Sequence, residues 1–170
     1  AGGDLAFTGG EGGVRVWRVD TGDLVRTLAS DSEGPVRSVC ARADGALAAT
    51  AEGTRVRVWR VTTGECIRTL GDHRGDVYAL ALSADGLLMA SAGYGMRIRL
   101  WDAPSGRCVR LLEGHTLAVH GIALNADGSR VASGGFDRSV RIWDIVLTDA
   151  GVPGASSQPS RIHGAAPPPA

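Results

Sequence analysis

The feature that most constrains this chain is a six-residue motif that recurs four times at a constant spacing. The motif reads V-R-V-W-R-V at 14–19 and 56–61, I-R-L-W-D-A at 98–103 and V-R-I-W-D-I at 140–145. Consecutive tryptophans of the motif are 42 residues apart, and they account for every tryptophan in the sequence: Trp17, Trp59, Trp101 and Trp143. A period of this length is typical of an array of four-stranded units.

The sequence within one period predicts short antiparallel strands. In the best-formed repeat, short apolar runs at 77–83, 87–92, 96–102 and 107–112 are separated by Gly, Asp, Ser or Pro. Asp-Gly and Ser-Gly pairs between the runs tolerate the positive φ that tight hairpins need. Because the run at 77–82 is apolar on both faces, each small sheet must be covered on both sides. Radial stacking of four-stranded sheets provides this cover.

The repeats predict one domain over residues 1–146, built from two complete and two incomplete units. We expect the units at about 1–28, 36–70, 77–112 and 119–146. The first unit lacks its first strand and the last lacks its fourth, so fourteen strands are predicted. Residues 147–170 are rich in Pro, Ala, Gly and Ser, which favours a disordered tail or a linker.

These motifs resemble the WD-repeat, or beta-transducin-like, family. The last repeat carries Gly114-His115, Asp127-Gly128 and Trp143-Asp144 at the family's positions. The resemblance implies an all-β fold, a WD-repeat β-propeller, and a buried hydrogen-bonded set in the last unit, consisting of His115, Ser133, Asp137 and Trp143. In the third unit it implies a shorter set of His73, Ser91 and Trp101, because Gly95 stands at the position of the Asp.

Family propellers usually close with about seven blades, within the general range of about 4–8. About four units therefore predict an open arc, and the resemblance implies that the remaining blades come from a longer parent chain. Open sheet edges promote pairing between molecules. We accordingly expect this chain by itself to self-associate or precipitate.

Composition and motifs argue against several kinds of chemistry. The 18 basic and 18 acidic residues balance, so the chain gives no strong signal for nucleic-acid binding. No apolar run is long enough for a membrane span, and no signal peptide is visible, so we expect an intracellular protein, cytoplasmic or nuclear. No histidine pairs with cysteine at zinc spacing, and the Gly-rich 9–13 is a predicted hairpin turn. No cofactor or metal is expected.

Two residue sets have both a structural and a functional interpretation. Ser133, His115 and Asp137 are the residue types of a hydrolase triad, but the serine lies in a predicted strand, which favours a structural role and a protein that is not an enzyme. An arginine precedes each motif tryptophan by two residues, and we expect these arginines on sheet faces beside acidic or aromatic groups. The cysteines, Cys40, Cys66 and Cys108, are predicted to be buried and reduced.

We expect the interaction surface at one end of the arc. The turns before each first strand and after each second strand lie at this end in every unit. Aromatic and arginine side chains dominate interface hot spots. The candidate protein-binding residues at this end are Arg37, Asp76, Tyr78, Tyr94, His120 and Phe136. The alternative is that Tyr78 and His120 only pack between units.

The leading functional hypothesis is a non-catalytic scaffold that displays loop residues on a propeller face within a multiprotein complex. A second hypothesis is a substrate adaptor of a ubiquitin ligase. Some adaptors of the family carry Arg two residues after Trp-Asp, whereas Pro104 and Val146 occupy those positions here. A third hypothesis is a regulatory propeller fused to a kinase or NTPase, with the Pro-rich tail as the linker. In each case the expected partners are other proteins.

Overall fold

The computed structural model describes residues 5–29, 34–71 and 73–145, together with the backbone of 161–164. All regular secondary structure in these residues is β, and the strands form antiparallel sheets that we call blades 1 to 4 in chain order. Blade 1 consists of β1 (Leu5–Gly10), β2 (Gly13–Arg18) and β3 (Leu24–Ala29). Blade 2 consists of β4 (Val36–Ala41), β5 (Leu47–Glu52), β6 (Arg55–Arg60) and β7 (Glu65–Leu70). Blade 3 consists of β8 (Val77–Leu82), β9 (Leu88–Gly93), β10 (Ile98–Asp102) and β11 (Arg107–Leu112). Blade 4 consists of β12 (Val119–Leu124), β13 (Arg130–Gly135), β14 (Ser139–Asp144) and β15 (Arg161–Gly164).

The all-β, four-unit fold predicted from the repeat period is confirmed, including fourteen strands between Leu5 and Asp144. Each sheet follows simple chain order, and in blades 1 to 3 every connection between strands of a sheet is a short hairpin turn. In each of the three four-stranded sheets, the recurring Trp motif forms the third strand. The glycines of the Asp-Gly turns, Gly45, Gly86 and Gly128, adopt the positive φ that the sequence predicted.

Blade 4 differs from the prediction of a missing last strand. β15 pairs antiparallel with β14, from Ser139 opposite Gly164 to Ile142 opposite Arg161, and takes the outer position that β7 and β11 have in their blades. The open edge of β14 would otherwise present unpaired backbone groups, so a nearby segment gains hydrogen bonds by pairing there. The segment for which a disordered tail or a linker was predicted thus contains one short strand at 161–164, and its other residues lie outside the described part of the chain.

Each blade has two chemically different faces, because side chains alternate along a strand. The Trp side carries the motif tryptophan, such as Trp101 in blade 3. The Val side carries the apolar motif residues two apart, such as Val56 and Val58 in blade 2. The core cluster between blades 2 and 3 contains Val56, Val58 and Trp101, so a Val side packs on the next blade's Trp side.

The same arrangement recurs at the other two junctions. Val14 and Val16 of blade 1 pack with Trp59, and Ile98 and Leu100 of blade 3 pack with Trp143. The core of the molecule is therefore three apolar layers between consecutive blades. The inner strands β1, β4, β8 and β12 contact one another in that order.

Two of the three cysteines differ from their predicted burial. Cys40 lies on an inner strand, and its burial raises the pKa of the thiol to about 12, although a backbone hydrogen bond from Ala49 acts in the opposite direction. Cys66 and Cys108 are exposed on the outer strands β7 and β11. Outer strands are covered on fewer sides, so the small apolar character of cysteine did not decide its position there.

Candidate protein-interaction site

A chain of hydrogen bonds fixes the turns at one end of blade 4. The indole Nε1 of Trp143 donates to Ser133 Oγ at 2.8 Å, and Ser133 Oγ lies 2.8 Å from Nε2 of His115. Nδ1 of His115 lies 2.7 Å from Oδ2 of Asp137. An indole N–H can only donate, so the serine oxygen accepts it. The ionised carboxylate of Asp137 can only accept, so Nδ1 of His115 carries the proton that faces it, and in the neutral ring Nε2 then accepts from the Ser133 hydroxyl.

Asp137 is the anchor of this set. Its carboxylate also accepts hydrogen bonds from the amides of Thr116 and Ser139 and from the Ser139 hydroxyl. Burial by itself raises the pKa of Asp137, but the hydrogen bonds from Ser139, His115 and the Thr116 amide outweigh it and hold the pKa well below its usual range. The ionised carboxylate thus joins the turn after β13 to the loop before β12.

Blade 3 has the shorter set that the resemblance implied. Trp101 Nε1 donates to Ser91 Oγ at 2.7 Å, and Ser91 Oγ lies 2.8 Å from His73 Nε2. Gly95 provides no carboxylate at the position of Asp137. The amide of Tyr94 instead donates to the carbonyl of Asp76 at 2.9 Å, which holds the turn and the preceding loop together.

Blade 2 uses a residue that the sequence reasoning missed. Trp59 Nε1 donates to Thr50 Oγ1 at 3.0 Å, and the Thr50 hydroxyl donates to Glu52 Oε1 at 2.7 Å. The other carboxylate oxygen of Glu52 lies 3.5 Å from Nε of Arg57, the motif arginine of this blade. Glu52 is buried, and its carboxylate takes the place against the hydroxyl that a histidine nitrogen has in blades 3 and 4. A Thr and a Glu two apart on one strand share a face, and that spacing was the available signal.

The Ser, His and Asp of blade 4 are enclosed. Ser133 is only 3% exposed, and its oxygen is occupied by the indole of Trp143, so no substrate reaches it as a nucleophile. Among the described residues, no group of three or more His, Cys, Asp or Glu side chains is placed to hold a metal ion. That part of the chain also contains no helix of the length and apolarity needed to cross a membrane.

Bulges in three inner strands aim side chains out of their sheets. The pairing register shifts between Val36 and Ser38 in β4, between Val77 and Ala79 in β8, and between Val119 and Gly121 in β12. The extra residues at these shifts are Arg37, Tyr78 and His120. A β-bulge commonly redirects a side chain in this way beside functional sites. All three are predicted binding residues.

The bulged residues form a continuous row across blades 2 to 4. The Arg37 guanidinium lies 5.6 Å from the centre of the Tyr78 ring, and Tyr78 stacks on His120 at 4.5 Å. His120 in turn contacts Phe136 at 4.2 Å between ring centres. We call Arg37, Tyr78, His120 and Phe136 the aromatic row. Asp76 joins it from the side, with Oδ2 3.2 Å from Nη2 of Arg37.

The observed geometry agrees in part with each interpretation of Tyr78 and His120, namely packing between blades and exposure for binding. Tyr78 is half-buried between its neighbours, whereas His120 is exposed and Phe136 is 63% exposed at the end of the row. Tyr94 is 62% exposed but stands apart from the row. It packs against Gly75, where an added Cβ would lie 2.8 Å from the ring, and lines a groove of about 490 Å³ with Met96 and Arg97.

Stacked antiparallel sheets with a 42-residue period, three of which hold a buried Trp–hydroxyl hydrogen bond at a junction, define a protein built from β-propeller blades. The family model for the WD domain, G-beta repeat, matches residues 64–102 and 106–144, so these two repeats are WD repeats, as the resemblance implied. Each match runs from the outer strand of one blade through three strands of the next. No individual curated protein matched the chain. Repeats of this family typically form protein-interaction scaffolds.

Proposed function

We propose that this chain is a non-catalytic scaffold that binds a partner protein at the end of the arc carrying the aromatic row. We call this end the top face. The observation that carries the proposal is the continuity of the row, because four side chains from three blades contact one another at a single surface. Tyr94 and Asp76 lie on the same face, since the Tyr94 amide bonds the Asp76 carbonyl.

The chemistry of the row suits a protein partner. Tyr, Trp and Arg are enriched among residues whose truncation costs about 2 kcal/mol or more of binding energy. Each ring of the row is held by its neighbour, so little side-chain freedom remains to be lost on binding. Phe136 presents a large apolar surface to solvent at the end of this preorganised row. The hydrogen-bonded sets below keep the turns that carry these residues in place.

Proximity labelling in cells tests the proposal. The chain is expressed with a labelling enzyme as the wild type, as Tyr94→Ala/Phe136→Ala, and as the control Leu87→Ala. All three altered side chains are large, apolar and exposed, but Leu87 lies in the turn between β8 and β9 at the opposite end. A hot-spot loss of about 2 kcal/mol per residue weakens binding about thirty-fold for each.

We expect the double variant to lose partners that the wild type and Leu87→Ala both label. Far-UV circular dichroism of the purified variants establishes that each retains its β structure. If all three proteins label the same partners to the same extent, the top face is not the binding surface and the assignment of these residues is wrong.

A further inference from the structure

The Trp side of blade 1 is open, although the same side is covered in every other blade. Ala6 and Thr8 are exposed there, and Trp17 is only partly buried. The residues at the positions of Ala6 and Thr8 in blade 2 are Ala48 and Thr50, which are 1% and 0% exposed. Trp17 Nε1 donates to Thr8 Oγ1 at 2.8 Å, so this face already satisfies its indole donor. The face is therefore ready to be covered without a further polar partner for the indole.

The Val side of blade 4 is open in the same way. Val140 is 53% exposed and Ile142 is partly exposed. The equivalent residues of blade 3, Ile98 and Leu100, are both 0% exposed, because blade 4 covers them. Burying such apolar area is favourable at about 25 cal/mol per Å², so the open face has a driving force for association.

The three junctions inside the chain show what fits each open face. At every junction the Val side of one blade covers the Trp side of the next, and equivalent motif positions make the contact each time. The open faces are one of each type: a Val side on blade 4 and a Trp side on blade 1. The four sheets are not closed into a ring, so these two faces do not cover each other within one molecule.

We propose that a second copy of this chain covers both faces, with the Val side of each blade 4 packed on the Trp side of the other copy's blade 1. The contact is head to tail, and head-to-tail contacts end in a closed assembly when their rotation divides a full turn. Two copies contribute twice the four blades of one chain, which is at the upper end of the range of about 4–8 blades found in closed propellers. This contact stacks faces and differs from the edge-to-edge pairing expected from unpaired strands.

Further blades of a longer polypeptide, which the resemblance implies, are the competing occupant of the same faces. The two occupants differ in what this chain does by itself. If a second copy covers the faces, the chain forms a discrete pair at twice its mass of 17.5 kDa. If further blades of a longer polypeptide cover them, the chain by itself remains a monomer or aggregates without a size limit. The proposal is independent of the top face, since neither Val140 nor Ala6 belongs to the aromatic row.

The test is the mass of the purified chain by light scattering after size exclusion, over a wide range of concentration. Two variants block one face each: Ala6→Glu places a carboxylate on the open Trp side, and Val140→Glu places one on the open Val side. Leu87→Glu is the matched control, because Leu87 is an exposed apolar residue in the turn between β8 and β9 of blade 3, which carries neither open face. Circular dichroism reports whether each variant is folded.

We expect the wild type and Leu87→Glu to form pairs, and Ala6→Glu and Val140→Glu to be monomers when measured separately. An equal mixture of the two monomeric variants restores one intact contact, because each supplies the face that the other lacks, and we expect a heterodimer. A contact between identical faces would not show this complementation. A monomeric wild type, assembly without a size limit, or pairs that persist in both variants would each overturn the proposal.

Discussion

The same Trp–threonine hydrogen bond occurs in blades 1 and 2 in different surroundings, which allows its energetic role to be measured. Thr8 accepts from Trp17 at 2.8 Å on an exposed face, and Thr50 accepts from Trp59 at 3.0 Å in a buried junction. Thr→Val keeps the shape of the side chain and removes only the hydroxyl. At position 50 it leaves a buried indole donor without its acceptor and removes the bond to Glu52, while at position 8 water replaces the lost partner.

The expected loss in the free energy of unfolding is about 2–5 kcal/mol for Thr50→Val, from one orphaned buried donor and one bond to a charged acceptor. For Thr8→Val it is below about 1 kcal/mol, as for a solvated hydrogen bond. Urea unfolding followed by far-UV circular dichroism at equal protein concentration compares the two, preferably in the Val140→Glu background so that assembly does not cover Thr8. Equal losses at the two positions would refute the reasoning that burial at the junctions gives these bonds their strength.

Two further predictions follow from the titratable groups. The folded-state pKa of Asp137 is lowered, so its contribution to stability is present above the unfolded-state pKa of about 3.9 and is lost as the pH falls towards the lower folded-state value. Asp137→Asn should therefore flatten the dependence of the urea midpoint on pH in this acid range more than the exposed control Asp127→Asn, and equal slopes would contradict the prediction. Cys66 and Cys108 should react with an aromatic disulfide reagent in the folded protein, whereas Cys40, with its pKa raised to about 12 by burial, should react only on unfolding. Rapid reaction of all three thiols in the folded protein would contradict the burial of Cys40.

The sequence was sufficient for the blades because their signals are local and repeated. Hairpin turns such as Asp85-Gly86 and the spacing between Trp101 and Trp143 recur in register, and each repeat specifies the same small sheet. The motif Trp also has one polar partner at nearly constant spacing, namely Ser133 for Trp143 and Thr50 for Trp59. Those features depend on residue types at fixed offsets, which a sequence displays directly.

The features that the sequence did not reveal depend on contacts between segments. Glu52 takes the role that a histidine preceding the blade has in blades 3 and 4, so the hydrogen-bond partner of Thr50 comes from a different position in the sequence. In blades 3 and 4 that position is Gly93 or Gly135, where a Cβ would approach a backbone carbonyl to 2.0 or 2.7 Å. The pairing of β15 with β14 likewise depends on an available edge and not on a local pattern.

The sequence predicted the members of the aromatic row but not the contacts between them. Turn position placed Tyr78, His120 and Phe136 at one end of the blades. The bulges that bring their rings into contact are shifts of strand register, and a shift of one residue is not visible in a short apolar run. The structure therefore converts a set of separate candidates into one surface, whose role in binding is the proposal made above.

The stacking order of the blades underlies the fold and both proposals, and hydrogen exchange of the four indole N–H groups tests it most directly. NMR resolves these signals individually, and Trp17→Phe identifies the signal of Trp17. In the Val140→Glu background we expect Trp59, Trp101 and Trp143 to exchange slowly, because the preceding blade covers each of them, and Trp17 to exchange quickly. Equal protection of all four indoles in that background would contradict the order in which each Val side covers the next Trp side.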